Sequence, residues 1–140
     1  VDDRGVCYCD GQTFKEPFMH RPIHFEIHAP DPAPVIEFYQ KTLGWKFHKW
    51  DGPMEYWLVE TGDPNAPGIN GGLMKSMDGQ PRTVNTIGVK DVDAAVKAAV
   101  AAGGMNVVPK MAIPGVGWLA YCTDPGGNIY GMMHDDKNAK

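Results

Sequence analysis

The chain has 140 residues, enough for one ordinary domain or two very small units sharing a core. A hydrophobic fraction of 43% against 21% charged residues is that of a globular chain and excludes a disordered one. The formal net charge is −4 and the thirteen Lys and Arg are scattered, so no basic stripe exists to meet a phosphate backbone and nucleic acid is not an expected partner.

No apolar run approaches the ~18–20 residues a membrane span needs, so no membrane partner is expected. The N-terminus lacks a hydrophobic signal core, and Cys7, Cys9 and Cys122 are odd in number. The expectation is therefore a cytoplasmic protein with free thiols. Cys7 and Cys9 form a C-x-C pair, half of a metal site, but no second Cys/His pair follows at suitable spacing.

Residues 1–21 read as an N-terminal arm, with Met19 just ahead of the first strand. Residues 23–28 alternate, with Phe25 and Ile27 on one face and His24, Glu26 and His28 on the other, which predicts a strand with one polar face. Asp31 is a good N-cap and Pro32 suits the first helical position. Ile36, Tyr39 and Leu43 then share one face of a helix of about three turns, broadened by Val35 and Phe38, and Gly44 ends it. Three strands are expected at 45–50, 55–60 and 71–75.

The pattern then repeats. A strand over 84–89 leads to the capping Asp91, and a stripe of Val92, Val96 and Val100 stops at Gly103 and Gly104. Three more strands are expected at 105–109, 117–122 and 129–134. From Asp31 to Asp91 is 60 positions, and from W-L-V-E-T-G-D-P at Trp57 to W-L-A-Y-C-T-D-P at Trp118 is 61, so two unlike landmarks recur at nearly one period. The fold class expected is α+β, two tandem βαβββ modules forming a curved sheet around a cavity. The domain spans 22–136, with modules at about 22–76 and 82–134. The competing ferredoxin-like βαββαβ sheet needs fewer strands after each helix.

The strings H-F-E-I-H-A-P-D, E-F-Y-Q-K-T-L-G-W and D-P-G-G-N-I-Y-G resemble the glyoxalase/bleomycin-resistance/dioxygenase superfamily, the vicinal oxygen chelate fold, over residues 22–134. Within it the chain is most similar to single-domain proteins related to lactoylglutathione lyase. The resemblance implies paired βαβββ modules, a homodimer and a cavity on the concave sheet face. It also implies a divalent metal held by four side chains, two per module. By that pattern His24 is a ligand, whereas Val84, Gly72 and Gly131 stand where the other three belong. The expectation is that no metal is bound, and that the two glycines enlarge the cavity and make it less acidic.

His24, Glu26 and His28 project at i, i+2 and i+4 from one strand face, with about 6.6 Å between successive members. Two His and a carboxylate make a known zinc or iron motif, which keeps a divalent metal as the minority alternative. Without a metal, Glu26 is a candidate general base tuned by His24 and His28; the bland alternative is a structural hydrogen-bonded set. Trp57 and Trp118 hold equivalent places and can clamp a flat ligand or simply pack in a core. Met74, Tyr121 and Met133 share that ambiguity. Period two groups Ile129, Gly131 and Met133 on one face, which the resemblance implies is the cavity face, with Tyr130 and Met132 towards the helix. Neither a G-x-S-x-G elbow nor a phosphate loop occurs. The function expected is binding of a small organic ligand. A lyase, isomerase or dioxygenase on His24, Glu26 and His28 is the alternative, and a purely structural domain is the third.

Overall fold

The computed structural model describes residues 7–9, 12–14 and 19–140. Its elements in chain order are β1 (Cys7–Cys9), β2 (Gln12–Phe14), β3 (Pro22–Ala29), α1 (Pro32–Leu43), β4 (Lys46–Lys49), β5 (Tyr56–Glu60), β6 (Gly71–Lys75), β7 (Arg82–Gly88), α2 (Val92–Ala101), β8 (Met105–Ile113), β9 (Gly117–Thr123) and β10 (Ile129–Asp135). From β3 onward the order is one strand, a helix and three strands, twice over, so the class is α+β and the βαβββ repeat is present twice. The ferredoxin-like alternative fails on that count. The chain divides into two compact units, residues 23–86 and residues 87–140 together with 1–22.

In the unit of residues 23–86, β4, β5 and β6 form an antiparallel meander, and β6 pairs in parallel with β3. The alternation of β3 is realised. Phe25 and Ile27 face α1, in a core with Val59 and Leu73, which are 1% and 0% exposed, and with Val35, Ile36, Tyr39, Trp45, Phe47 and Trp57. Burying each of Ile27, Val59 and Leu73 contributes ~1.5–3 kcal/mol.

Helix α1 departs from its expected face at its far end. Val35, Ile36 and Tyr39 pack inward, but Phe38 and Leu43 are more than half exposed. Trp45 lies just past the helix and stacks on Tyr39 with centroids 4.8 Å apart, so the stripe closes there rather than at Leu43. Asp31 occupies the N-cap, yet its side chain makes no capping bond. Pro34 removes the N–H at the third helical position, one of the two donors a cap would use. Gly44 ends the helix in the left-handed region, at φ 70°, and its N–H reaches Gln40 O at 3.2 Å.

In the other unit, β8, β9 and β10 form a second antiparallel meander. Their helix-side core joins Val89, Val92, Ala120, Cys122 and Met132 to Ala95, Val96, Ala99, Trp118 and Tyr130. The stripe of α2 is thus 92, 95, 96, 99, and Val100, expected within it, is 51% exposed. Asp91 does cap its helix, accepting from the N–H groups of Asp93 and Ala94. Strand β8 runs four residues past Pro109, where the sequence reading ended it. Its register shifts at 106/108 and 108/111 absorb a proline that a regular ladder would not tolerate.

Residues 19–21, read from sequence as part of the arm, run beside the end of β7. His20 N–H donates to Gly88 O at 2.6 Å, and Gly88 N–H donates to Arg21 O at 3.0 Å. Strands β1 and β2 pair antiparallel. The side chains of Cys7 and Cys9, and with them the C-x-C half-site, lie outside the described residues. Among the described residues no helix is long and apolar enough to cross a membrane.

Candidate functional site

The polar face of β3 becomes a candidate site because of what β6 lacks. Register places Gly71 beside Phe25, Gly72 beside Glu26 and Met74 beside His28. On its other side β6 pairs with β5, with Leu58 opposite Gly72 and Tyr56 opposite Met74. Tyr56 and Glu26 therefore sit on strands two spacings apart, about 9.5 Å, with β6 between them. A side chain on residue 72 would stand in the way. Because Gly72 has none, the Tyr56 ring lies across β6, and a Cβ built on Gly72 would clash with the Tyr56 hydroxyl. Gly71 does the same for the opposite face, where a Cβ would meet the Phe25 ring at 2.6 Å. Two adjacent glycines thus open both sides of the sheet.

Lying across β6, Tyr56 completes a line of four groups. Its hydroxyl donates to Glu26 Oε2 at 3.0 Å and contacts His24 Nε2 at 2.8 Å. The other carboxylate oxygen, Oε1, is 2.7 Å from His28 Nε2. Glu26 and His28 are buried, at 4% and 5% exposure, while His24 and Tyr56 are half-buried. Burial lowers the His24 imidazole below its usual value, and the nearby Glu26 carboxylate pulls it up by less. The chemistry available is proton relay and hydrogen bonding along His24–Tyr56–Glu26–His28.

The divalent ion implied by the resemblance can be tested against these side chains. Val84 and Gly72 offer no donor, and Gly131, in the other unit, offers none either. The space a residue-72 ligand would need holds the Tyr56 hydroxyl. The local alternative also finds no support, since His24, Glu26 and His28 form a line of hydrogen bonds rather than converging on one point. Among the described residues no group of three or more His, Cys, Asp or Glu is placed to hold a metal ion. Among the described residues, those at the implied ligand positions do not fit the group.

The other expected site residues separate by face. Met74 is buried on the face of the polar line, paired with both His28 and Tyr56. Trp57 lies on the opposite face, in the core under α1, with Lys49 Nζ 5.6 Å from its ring centroid. In the second unit Tyr121 pairs with Gly131 and Leu119 with Met133, on the face turned away from α2, as period two predicts. Trp118 packs on the α2 side, with Lys110 Nζ 4.9 Å from its centroid. Both tryptophans thus take the packing arrangement weighed for them.

Two residues went unnoticed in the sequence. Tyr56 is the link between His24 and Glu26. Trp50 folds over Gly52, where a Cβ would clash with its ring, and stands edge-on to Tyr56 at 6.2 Å. The signal for Tyr56 was available, because the alternation of β5 puts it opposite Trp57 and Gly72 leaves a gap in the next strand.

The sequence profile described as a glyoxalase-like domain matches residues 24–132. The fold is similar to that of methylmalonyl-CoA epimerase from Mycobacterium tuberculosis, at 20% identity, 81% of this chain, 86% of that one and a TM-score of 0.59. A Streptomyces coelicolor methylmalonyl-CoA epimerase variant in complex with 2-nitronate-propionyl-CoA is similar at 17% identity, with coverage of 87% and 99% and a TM-score of 0.63. A hypothetical protein from Bacillus halodurans is similar at 17% identity, with coverage of 86% and 97% and a TM-score of 0.62. At these identities the likeness establishes a shared fold. No curated protein matches the chain.

Proposed function

Since the chain belongs to the glyoxalase-like domain family, we propose that it binds a small organic molecule against the His24–Tyr56–Glu26–His28 line, and does so without a divalent metal. The observation that carries this reading is the Tyr56 hydroxyl in the space of a residue-72 side chain. Where the resemblance implies a metal ligand, this chain has built a hydrogen-bonding group. Half-buried His24 and Tyr56 supply polar contacts to a ligand, and Met74 and Trp50 supply apolar ones.

Elemental analysis of protein purified without chelator tests the metal half of the proposal. Less than one-tenth of an equivalent of zinc, iron, nickel or manganese is the expected result, and one equivalent lost on His24→Ala refutes it. A thermal-shift screen of metabolites, antibiotics and thiol conjugates tests the binding half.

A second reading, an isomerase or epimerase moving a proton beside a carbonyl, is favoured by the buried Glu26 carboxylate held between two partners. The fold shared with methylmalonyl-CoA epimerases also favours it. We place the protein in the cytoplasm as a homodimer, to be checked by fractionation and by light scattering.

A further inference from the structure

The proposed binding site leaves open which atom meets the ligand and what that ligand must offer. Counting protons along the line answers both. Both oxygens of Glu26 accept, Oε1 from His28 Nε2 at 2.7 Å and Oε2 from the Tyr56 hydroxyl at 3.0 Å. Tyr56 has one proton, and Glu26 takes it. At its 2.8 Å contact with His24 Nε2 the hydroxyl oxygen can therefore only accept, so Nε2 must carry a hydrogen. A neutral imidazole carries one hydrogen, and Nδ1 is left bare.

Exposure then decides which member faces outward. Glu26 and His28 are buried, and both Glu26 oxygens are already engaged. His24 is half-buried, and no buried side-chain nitrogen or oxygen among the described residues lacks a partner, so its Nδ1 lies within reach of solvent. From sequence Glu26 is the candidate base; the geometry moves that role past Tyr56 to His24.

We propose that Tyr56 is a positioning residue that holds the His24 ring with its hydrogen on Nε2, so that Nδ1 is the acceptor offered to the ligand. The ligand is then a small molecule presenting an acidic hydrogen: an O–H, an N–H, or a C–H beside a carbonyl. This rests on the binding site proposed above. Where the hydrogen is transferred, the X–H bond breaks, its electron pair stays on X, and the proton joins the Nδ1 lone pair. The imidazolium keeps its Nε2 hydrogen on the Tyr56 oxygen, and the hydroxyl hydrogen stays with Glu26. Returning the proton to another face or atom of the ligand completes an isomerisation with no further reactant. A base oriented through a neighbour by a buried carboxylate is an established division of labour. Here a tyrosine stands between the two, and it can do so only because residue 72 is glycine.

The test uses the full chain with ¹⁵N-labelled histidine and long-range proton–nitrogen correlation near pH 7.5. His24 is expected with hydrogen on Nε2 and a bare Nδ1, and Tyr56→Phe is expected to release it into a mixture of tautomers. A wild-type His24 protonated on Nδ1 overturns the inference by itself, so the measurement decides even if Tyr56→Phe fails to fold. Acetohydroxamic acid, which carries O–H and N–H, serves as the donor probe, and N-methoxy-N-methylacetamide is its counterpart without either. The first is expected to move the His24 Nδ1 resonance and to bind at least tenfold more tightly than the second; equal binding overturns the ligand class. A screened compound that binds while the Nδ1 resonance stays unmoved overturns this inference and leaves the binding site standing. A bare Nδ1 with no binder in the screen overturns the binding site and the ligand class with it.

Discussion

Replacing Gly72 by Ala puts a methyl group where the Tyr56 hydroxyl now lies, with Tyr56 Cε1 only 2.6 Å away. One of the two must move, and the β6 backbone is fixed by pairing on both sides, so the Tyr56 ring moves. Forcing an extra methyl into a filled space costs ~1–3 kcal/mol. The hydrogen bond from Tyr56 to the Glu26 carboxylate is lost as well, at about 1.5–3 kcal/mol for a charged acceptor. The alanine returns about 0.4–1 kcal/mol by restricting the unfolded chain. Gly72→Ala should therefore destabilise by roughly 2–5 kcal/mol. In a Tyr56→Ala background neither cost remains, and the same change should be neutral or slightly favourable. Urea unfolding of the four proteins, followed by circular dichroism, gives the coupling. If the two changes add within ~0.5 kcal/mol, Tyr56 does not occupy the space above Gly72 and the construction of the site is wrong. Gly71→Ala is the control: its Cβ would meet the Phe25 backbone oxygen at 2.6 Å, so Tyr56→Ala should not rescue it.

Three further outcomes follow from the structure. Because burial lowers His24 below its usual 6.5, the unfolded chain takes up that proton first. Stability from this group is held above about pH 6.5 and lost as pH falls below it; urea midpoints between about pH 8 and 5 should show a shallower slope in His24→Asn, and equal slopes refute the assignment. Asp78 is an exposed carboxyl held well below its usual range by Arg82, with the Gln80 N–H and the Ser76 hydroxyl assisting. Its contribution is present above pH 3.8 and fades below it, so Asp78→Asn should remove a small part of the acid-side loss of stability and leave the His24 window unchanged. Trp118 Nε1 donates to Asp136 Oδ2 at 2.9 Å, and Gly115 N–H donates to Ala139 O at 3.1 Å, fastening residues 136–139 to β9 and the turn before it. Trp118→Phe should lower the urea midpoint of the full chain by more than it lowers that of a chain ending at 135, and equal losses would deny the fastening.

Much of this was legible in the residues themselves. Alternation in 23–28, the capping aspartates, Gly44 and the recurring W-L…D-P strand are local patterns, and a strand or helix shows its period without knowing its neighbours. The duplication, the α+β class and the polar face of β3 could all be read for that reason. Local pattern reaches less far at element ends, where Pro109 marks the expected end of a strand that a bulge carries on to Ile113. It reached no further than alternatives for Trp57 and Trp118, because period two gives each strand two faces without saying which one its helix covers. Only the tertiary structure placed both under their helices. For the hydrogen-bonded line, the residues give His24, Glu26 and His28 as one possible set, and the contacts that join them through Tyr56 come from strand pairing. The line depends on the parallel pairing of β3 with β6, whose partners lie 46 residues apart in the chain, and on a glycine whose absent side chain admits a ring from the next strand. What the sequence determined was which residues share a strand face. Which of them touch was decided by strand pairing, a contact between distant residues that no local period records.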